Sequence, residues 1–123
     1  MSYDSQTAIK NRHDFDSTFT NEYDGDQTAT TIITPTSGYK IKVTSAYISS
    51  EDATTVGQRI KLHFATSGNT VATLFPGAVD NQTSAIAIDK MLVTGATDEV
   101  LKLTANIGAD RNYFILVNYK EEI

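Results

Sequence analysis

The carboxylates of the turn Asp24-Gly25-Asp26 are the first residues whose type and spacing suggest chemistry, with Asp14, Asp16 and Glu22 nearby in the chain. Oxygen-rich flexible loops of this kind suit calcium. An EF-hand loop, however, needs D-x-D-x-D-G and a distant Glu, and that spacing is missing. Asp and Gly are also ordinary turn formers, so a plain turn accounts for the segment. The two histidines, His13 and His63, stand far apart without a partner. Catalysis by His needs a nucleophile or carboxylate held in hydrogen-bond reach. Glu99 and Asp89 are the strand-borne carboxylates a glycosidase pair would need, but nothing around either marks it as one. No phosphate-cradling glycine motif occurs, and no G-x-S-x-G elbow. The chain has no Cys, which removes disulfides, thiolate zinc sites, iron–sulfur clusters and Cys nucleophiles together. The expectation is a protein that is not an enzyme and takes no metal or cofactor.

Two constellations remain. Arg59, Lys61 and His63 alternate with Ile60, Leu62 and Phe64, so the cations share one face of a strand and the apolar groups the other. Such a basic stripe suits an acidic patch on a partner or on a second copy. Tyr3, Tyr23, Tyr39, Tyr47, Tyr113 and Tyr119 are the material for a sugar-stacking platform. The stronger form of that signal uses exposed Trp, which is absent. Tyr on strands more often packs half-buried with its hydroxyl at the edge.

The elements that carry these residues are strands. From residue 17 onward, Thr, Val, Ile, Tyr and Phe recur in short runs broken by Gly, Asn, Asp and Ser. Strands are predicted at about 17–22, 27–34, 39–49, 56–66, 70–75, 84–93, 99–105 and 112–119. The run 84–93 is the one that would also tolerate a helix. In the last strand Tyr113, Ile115, Val117 and Tyr119 oppose Phe114 and Leu116, which implies cover on both faces. The run 39–49 reads the same way, with Ile41, Val43 and Tyr47 opposed by Ala46 and Ile48. In the run 70–75, Val71, Thr73 and Phe75 oppose Ala72 and Leu74. About eight strands with frequent turns predict an all-β, two-sheet antiparallel sandwich of jelly-roll type over residues 17–123. Residues 1–16 are polar, with Ile9 and Phe15 as their large apolar groups, and read as an extended N-terminal arm.

Charge narrows the partners. Ten Lys and Arg against fifteen Asp and Glu give a net charge of −5. That balance argues against non-specific nucleic-acid binding and against a polybasic membrane anchor. No run approaches the length of a membrane span, and the first residues lack the apolar core of a signal peptide. The expectation is synthesis in a cytoplasm, where the chain stays soluble unless another machine exports it or it leaves inside an assembly.

With the strands placed, the chain resembles small structural proteins of tailed bacteriophage virions. The resemblance is carried by Gly38-Tyr-Lys-Ile-Lys-Val-Thr-Ser-Ala-Tyr-Ile48, by Gly57-Gln-Arg-Ile-Lys-Leu-His-Phe64, by Asp98-Glu-Val-Leu-Lys-Leu103 and by the closing Tyr113-Phe-Ile-Leu-Val-Asn-Tyr119. It spans about residues 27–119 and is a pattern of strands and turns rather than a chemical motif. It implies a virion structural protein on the capsid surface: a decoration or cement protein, a homotrimer whose partners are its sister copies and the major capsid protein. The alternative is a tail-fibre or baseplate module that binds a host-surface glycan. A third reading is a small β-sandwich enzyme or calcium lectin. The residues expected at a subunit or shell interface are Ile9, Phe15, Arg59, Lys61, His63, Tyr113 and Tyr119.

Overall fold

Alternation of apolar and polar side chains builds the sandwich, as the burial along each strand shows. In the computed structural model, which describes residues 16–77, 83–88 and 93–123, every regular element is a strand. The order is β1 (Ser17–Asp24), β2 (Gln27–Ile33), β3 (Lys40–Glu51), β4 (Arg59–Phe64), β5 (Thr70–Leu74), β6 (Thr83–Ile88), β7 (Val93–Thr94), β8 (Leu101–Asn106) and β9 (Asn112–Glu122). The arm expected over 1–16, with Ile9 and Phe15, lies outside the described residues except for Asp16.

One sheet runs β1-β9-β3-β6, with β7 also on β3; the other runs β2-β8-β4-β5. All pairings are antiparallel. This interleaving of early and late strands across two sheets is the jelly roll. Eight strands were expected and nine are seen because the run 84–93 forms one edge in two pieces: β6 pairs Ala46–Glu51 and β7 pairs Lys42 and Val43 of the same strand. Strand rather than helix wins there because Ile86 and Ile88 face the core while Ala85 and Ala87 face out.

The core sits between the sheets. Ile60, Leu62 and Phe64 of β4 meet Leu101 and Leu103 of β8, and from the other sheet come Ile41, Val43 and Ile48 of β3 with Ile115 and Val117 of β9. All of these are fully buried. Burying one such side chain stabilises the fold by roughly 1.5–3 kcal/mol.

Two strands depart from simple alternation for the same reason. β3 holds a bulge between Val43 and Ser45. One extra residue shifts the parity of everything after it. Ile41, Val43, Ala46 and Ile48 therefore all point inward, and Tyr47 points out, so this strand is not apolar on both faces as its sequence suggested. In β5 a bulge beside Leu62 and His63 leaves Val71 without a partner. Val71, Ala72 and Leu74 are buried, and Phe75, expected on the face of Val71, is exposed.

Candidate functional site

The loops at the two ends of the sandwich and the outer faces of its two sheets are where binding chemistry could sit. The turn Asp24-Gly25-Asp26 joins β1 to β2, and Gly25 takes φ +77°, a left-handed conformation that glycine adopts without steric penalty. One carboxylate oxygen of Asp26 accepts the N–H groups of Ile107 and Gly108, both at 2.9 Å. Asp26 thus ties the β1–β2 turn to the β8–β9 turn. Asp24 ends β1, opposite Asn112. Asp14 and Asp89 lie outside the described residues, as does His13.

Glu99 is an anchor of the same kind at the opposite end, and is 4 % exposed. Its carboxylate accepts the backbone N–H groups of Thr66 and Ser67 on one oxygen and that of Ala96, at 2.7 Å, on the other. Burial alone pushes its pKa up. The hydrogen bonds from Ala96, Ser67 and Thr66 outweigh that, and hold the group below the ordinary carboxylate range. Sequence spacing offered Glu99 as an acid or base, but geometry makes it the knot between the β4–β5 turn and the segment that enters β8.

The described tyrosines do not form one platform. Tyr23 and Tyr113 stack at 5.7 Å between centroids. Tyr113 is buried, and its hydroxyl donates to the carbonyl of Gly25 at 3.0 Å. Burial raises its pKa far above the ordinary tyrosine value, and electrostatic interaction with Tyr23, Asp26 and Asp24 adds to the rise. Tyr113 was expected at a subunit or shell interface; the parity of β9 turns it inward instead, so its ring is not free to touch a partner. Tyr119, from the same expectation, is half-buried and packs against the core edge. Burial raises its pKa as well; Glu121 adds to the rise and a hydrogen bond to Ser17 opposes it. Among the described residues, Tyr47 meets an outward aromatic, Phe114, at 6.3 Å. Tyr39 lies next to β3 at the end where Glu99 sits, and Tyr3 is outside the described residues.

The two outer faces differ in character. On the five-stranded sheet, Leu116 stands opposite Tyr47, and Phe114 opposite Ser49, in a half-buried apolar strip. On the four-stranded sheet the stripe of Arg59, Lys61 and His63 faces outward as expected, with the three residues about 7 Å apart along the strand. Pairing adds a residue the sequence reading missed: Lys102 lies directly across from His63. Its signal was the alternation Leu101-Lys102-Leu103-Thr104-Ala105, but the neighbour of β4 was not legible locally. His63 is engaged, with Nε2 2.7 Å from the hydroxyl oxygen of Thr104, which also accepts the N–H of Ala29.

No protein-family model matches the sequence, and no curated protein is similar to it. Solved structures share its shape. A chain of the acidic stable capsid structure of Helicobacter pylori bacteriophage KHP30 aligns with 88 % of this chain and 89 % of its own length, at a TM-score of 0.61 and 16 % identity. A chain of the cyanophage Pam1 capsid asymmetric unit covers 86 % of this chain and 83 % of its own, at 0.46 and 20 %. A chain of the Bacillus endospore appendages, described as disulfide-linked pili, covers 86 % of each, at 0.45 and 11 %. The similarity to the KHP30 chain extends along nearly the whole sandwich and concerns the fold.

Proposed function

We propose that this chain is a structural protein of a bacteriophage virion: a capsid decoration protein that binds the outside of the shell as a homotrimer, with the major capsid protein as partner, and stabilises it. The observation that carries the reading is the end-to-end jelly-roll similarity to a chain of a phage capsid. The chemistry of the loops supports it. The carboxylates best placed to act as acids, bases or ligands, Asp26 and Glu99, are engaged as turn anchors. What is left to work with is surface. The basic stripe of Arg59, Lys61 and His63 and the apolar strip of Phe114 and Leu116 are the faces it would use. The arm, with Ile9 and Phe15, docks on the shell or on an adjacent subunit.

Localisation tests this. An antibody to the purified chain is applied to intact phage particles from cells carrying the gene, and gold label is read by electron microscopy. Label over the head is expected, and unlabelled particles would overturn the virion reading. Label at the tail tip would overturn decoration in favour of the fibre or baseplate reading. Binding to expanded but not to unexpanded heads identifies decoration specifically.

A further inference from the structure

The four-stranded sheet carries no carboxylate on any of its strands. Its outer face presents Arg59, exposed, with Lys61 and Lys102, half-buried at their stems. In a chain of net charge −5 this is a local reversal of sign. The opposite sign gathers at a corner of the other sheet. Asp24 ends β1 and Glu51 ends β3. Asn112 joins them, standing opposite Asp24 while its side-chain amide donates to Glu51 at 3.2 Å. Exposed Asp110 lies two residues before Asn112, and Glu22 is exposed on β1 two residues before Asp24. Half-buried Arg111 is the one cation of this corner among the described residues, and its carbonyl accepts the N–H of Gly25.

Neither charge set is neutralised among the described residues. Among the described residues, none of Arg59, Lys61, Lys102, Asp24, Glu51 and Asp110 forms an ion pair; the pair that is made, Lys42 with Glu122 at 3.8 Å, lies elsewhere. Arg59, Lys61 and Lys102 stand on strands of the four-stranded sheet, Asp24 and Glu51 on strands of the other, and Asp110 in the turn that joins them. A second copy can bring the two sets together.

We propose that the cationic face of the four-stranded sheet, carrying Arg59, Lys61 and Lys102, docks on the acidic corner of a second copy, formed by Asp24, Glu51 and Asp110. This contact rests on the reading above that the chain acts as an oligomer, and specifies the surfaces. It joins two different patches, so it is head-to-tail, and such contacts close into rings when the rotation permits. Size sets its strength. Four strands about 4.8 Å apart and about 20 Å long make a face of roughly 400 Å², half the roughly 800 Å² per partner of a standard interface. One contact is therefore weak and salt-sensitive. A ring, in which every copy makes two, is what holds.

Sedimentation of the full chain tests it, with sodium chloride raised from about 0.05 to about 0.5 M, where the screening length falls severalfold. The wild type is expected to associate at low salt and shift toward monomer at high salt. Lys61→Glu with Lys102→Glu should weaken association at least about tenfold, and so should Asp24→Lys with Glu51→Lys. Combining all four reversals in one chain should restore it, because every reversed face then meets a reversed corner whatever the number of copies in the ring; recovery also shows that the substitutions leave the fold intact. An oligomer that ignores salt and both reversals overturns this contact and leaves the oligomer reading standing. A wild type that is monomeric at every salt and concentration overturns both. If the lysine variants lose retention on a heparin column while association is unchanged, the face serves a polyanion and the proposed contact is wrong.

Discussion

Replacing Glu99 with Gln removes a charge from a site built around it. Three backbone N–H groups, from Thr66, Ser67 and Ala96, converge on the carboxylate. Gln keeps one accepting oxygen and turns an NH₂ toward the N–H groups the other oxygen served. Hydrogen bonds in folded proteins contribute about 1 kcal/mol net each, and more when the acceptor is charged. Thr66, Ser67 and Ala96 are themselves exposed, so water can reach the orphaned N–H groups and the cost stays near the lower figure. With one or two bonds lost and a donor–donor clash gained, Glu99→Gln should cost about 2–3 kcal/mol. For a chain of 123 residues that is a drop in Tm of roughly 8–12 °C, at about 4 °C per kcal/mol. The pH dependence distinguishes this cause from a packing defect. The folded-state pKa of Glu99 is depressed, so its contribution is present above the unfolded-state pKa and is lost as pH falls through the folded one. Urea melts of wild type and variant at neutral pH and at several acid pH values give the gap directly. The gap should be widest near neutrality and close on acidification below the ordinary carboxylate range. A variant as stable as wild type at pH 7, or a gap that does not change with pH, would refute the reasoning.

Gly95→Ala places a methyl 2.6 Å from two ring carbons of fully buried Phe64. It should cost about 1–3 kcal/mol by overpacking, read as a lower denaturation midpoint with an unchanged slope. Gly108→Ala meets the side chain of Thr54 at 2.3 Å and holds φ +95°; it should be destabilising by a similar amount, and pairing it with Thr54→Ala should relieve the steric part and leave the backbone part. Tyr113→Phe removes a buried hydroxyl that donates to Gly25 and should cost about 1 kcal/mol at neutral pH. Because the Tyr113 pKa is raised on folding, mainly by burial, its contribution is intact below the ordinary value of 10.0 and falls as pH rises past it. A phenolate absorbance titration should accordingly find one fewer late-titrating tyrosine in this variant.

Each of the eight sequence-predicted strands has a counterpart in the structure, and their number and antiparallel turns pointed correctly to a jelly-roll sandwich. What alternation could not reveal is where it breaks. The bulge at Thr44 reverses parity within β3, so Ile41 and Ile48 look opposed in sequence yet share the core. For β9, apolar on both faces, nothing local says which set faces inward; the sheet above it does, and it takes Tyr113, Ile115 and Val117. That is why Tyr113 reads as surface in sequence and lies in the interior. Arg59, Lys61 and His63 were legible as one face because β4 alternates without interruption. Lys102 was not, because joining it to them requires knowing that β8 lies beside β4. Glu99 was not legible as an anchor, since only Ala96 is near it in the chain and its other two donors, Thr66 and Ser67, come from a distant turn.

The carboxylates explain the unpaired cations. Asp26 binds the N–H groups of Ile107 and Gly108; Glu99 those of Thr66, Ser67 and Ala96; Asp98 that of Gly38 at 2.6 Å; and Glu121 both the N–H and the hydroxyl of Thr36. Four acidic side chains are thereby committed to tying loops together at the two ends of the sandwich, where turns leave backbone donors without ladder partners. None of them reaches the flat face where Arg59, Lys61 and Lys102 stand. The flat face thus stays cationic, because these four carboxylates are engaged at the ends of the sandwich and the strands of this sheet carry none. The consequence is a separation of roles. Changing a loop-tying carboxylate strikes stability by kilocalories. Changing an exposed, unpaired cation on the flat face should move stability by no more than about 0.5 kcal/mol, so any large effect of such a change on assembly reports the contact itself.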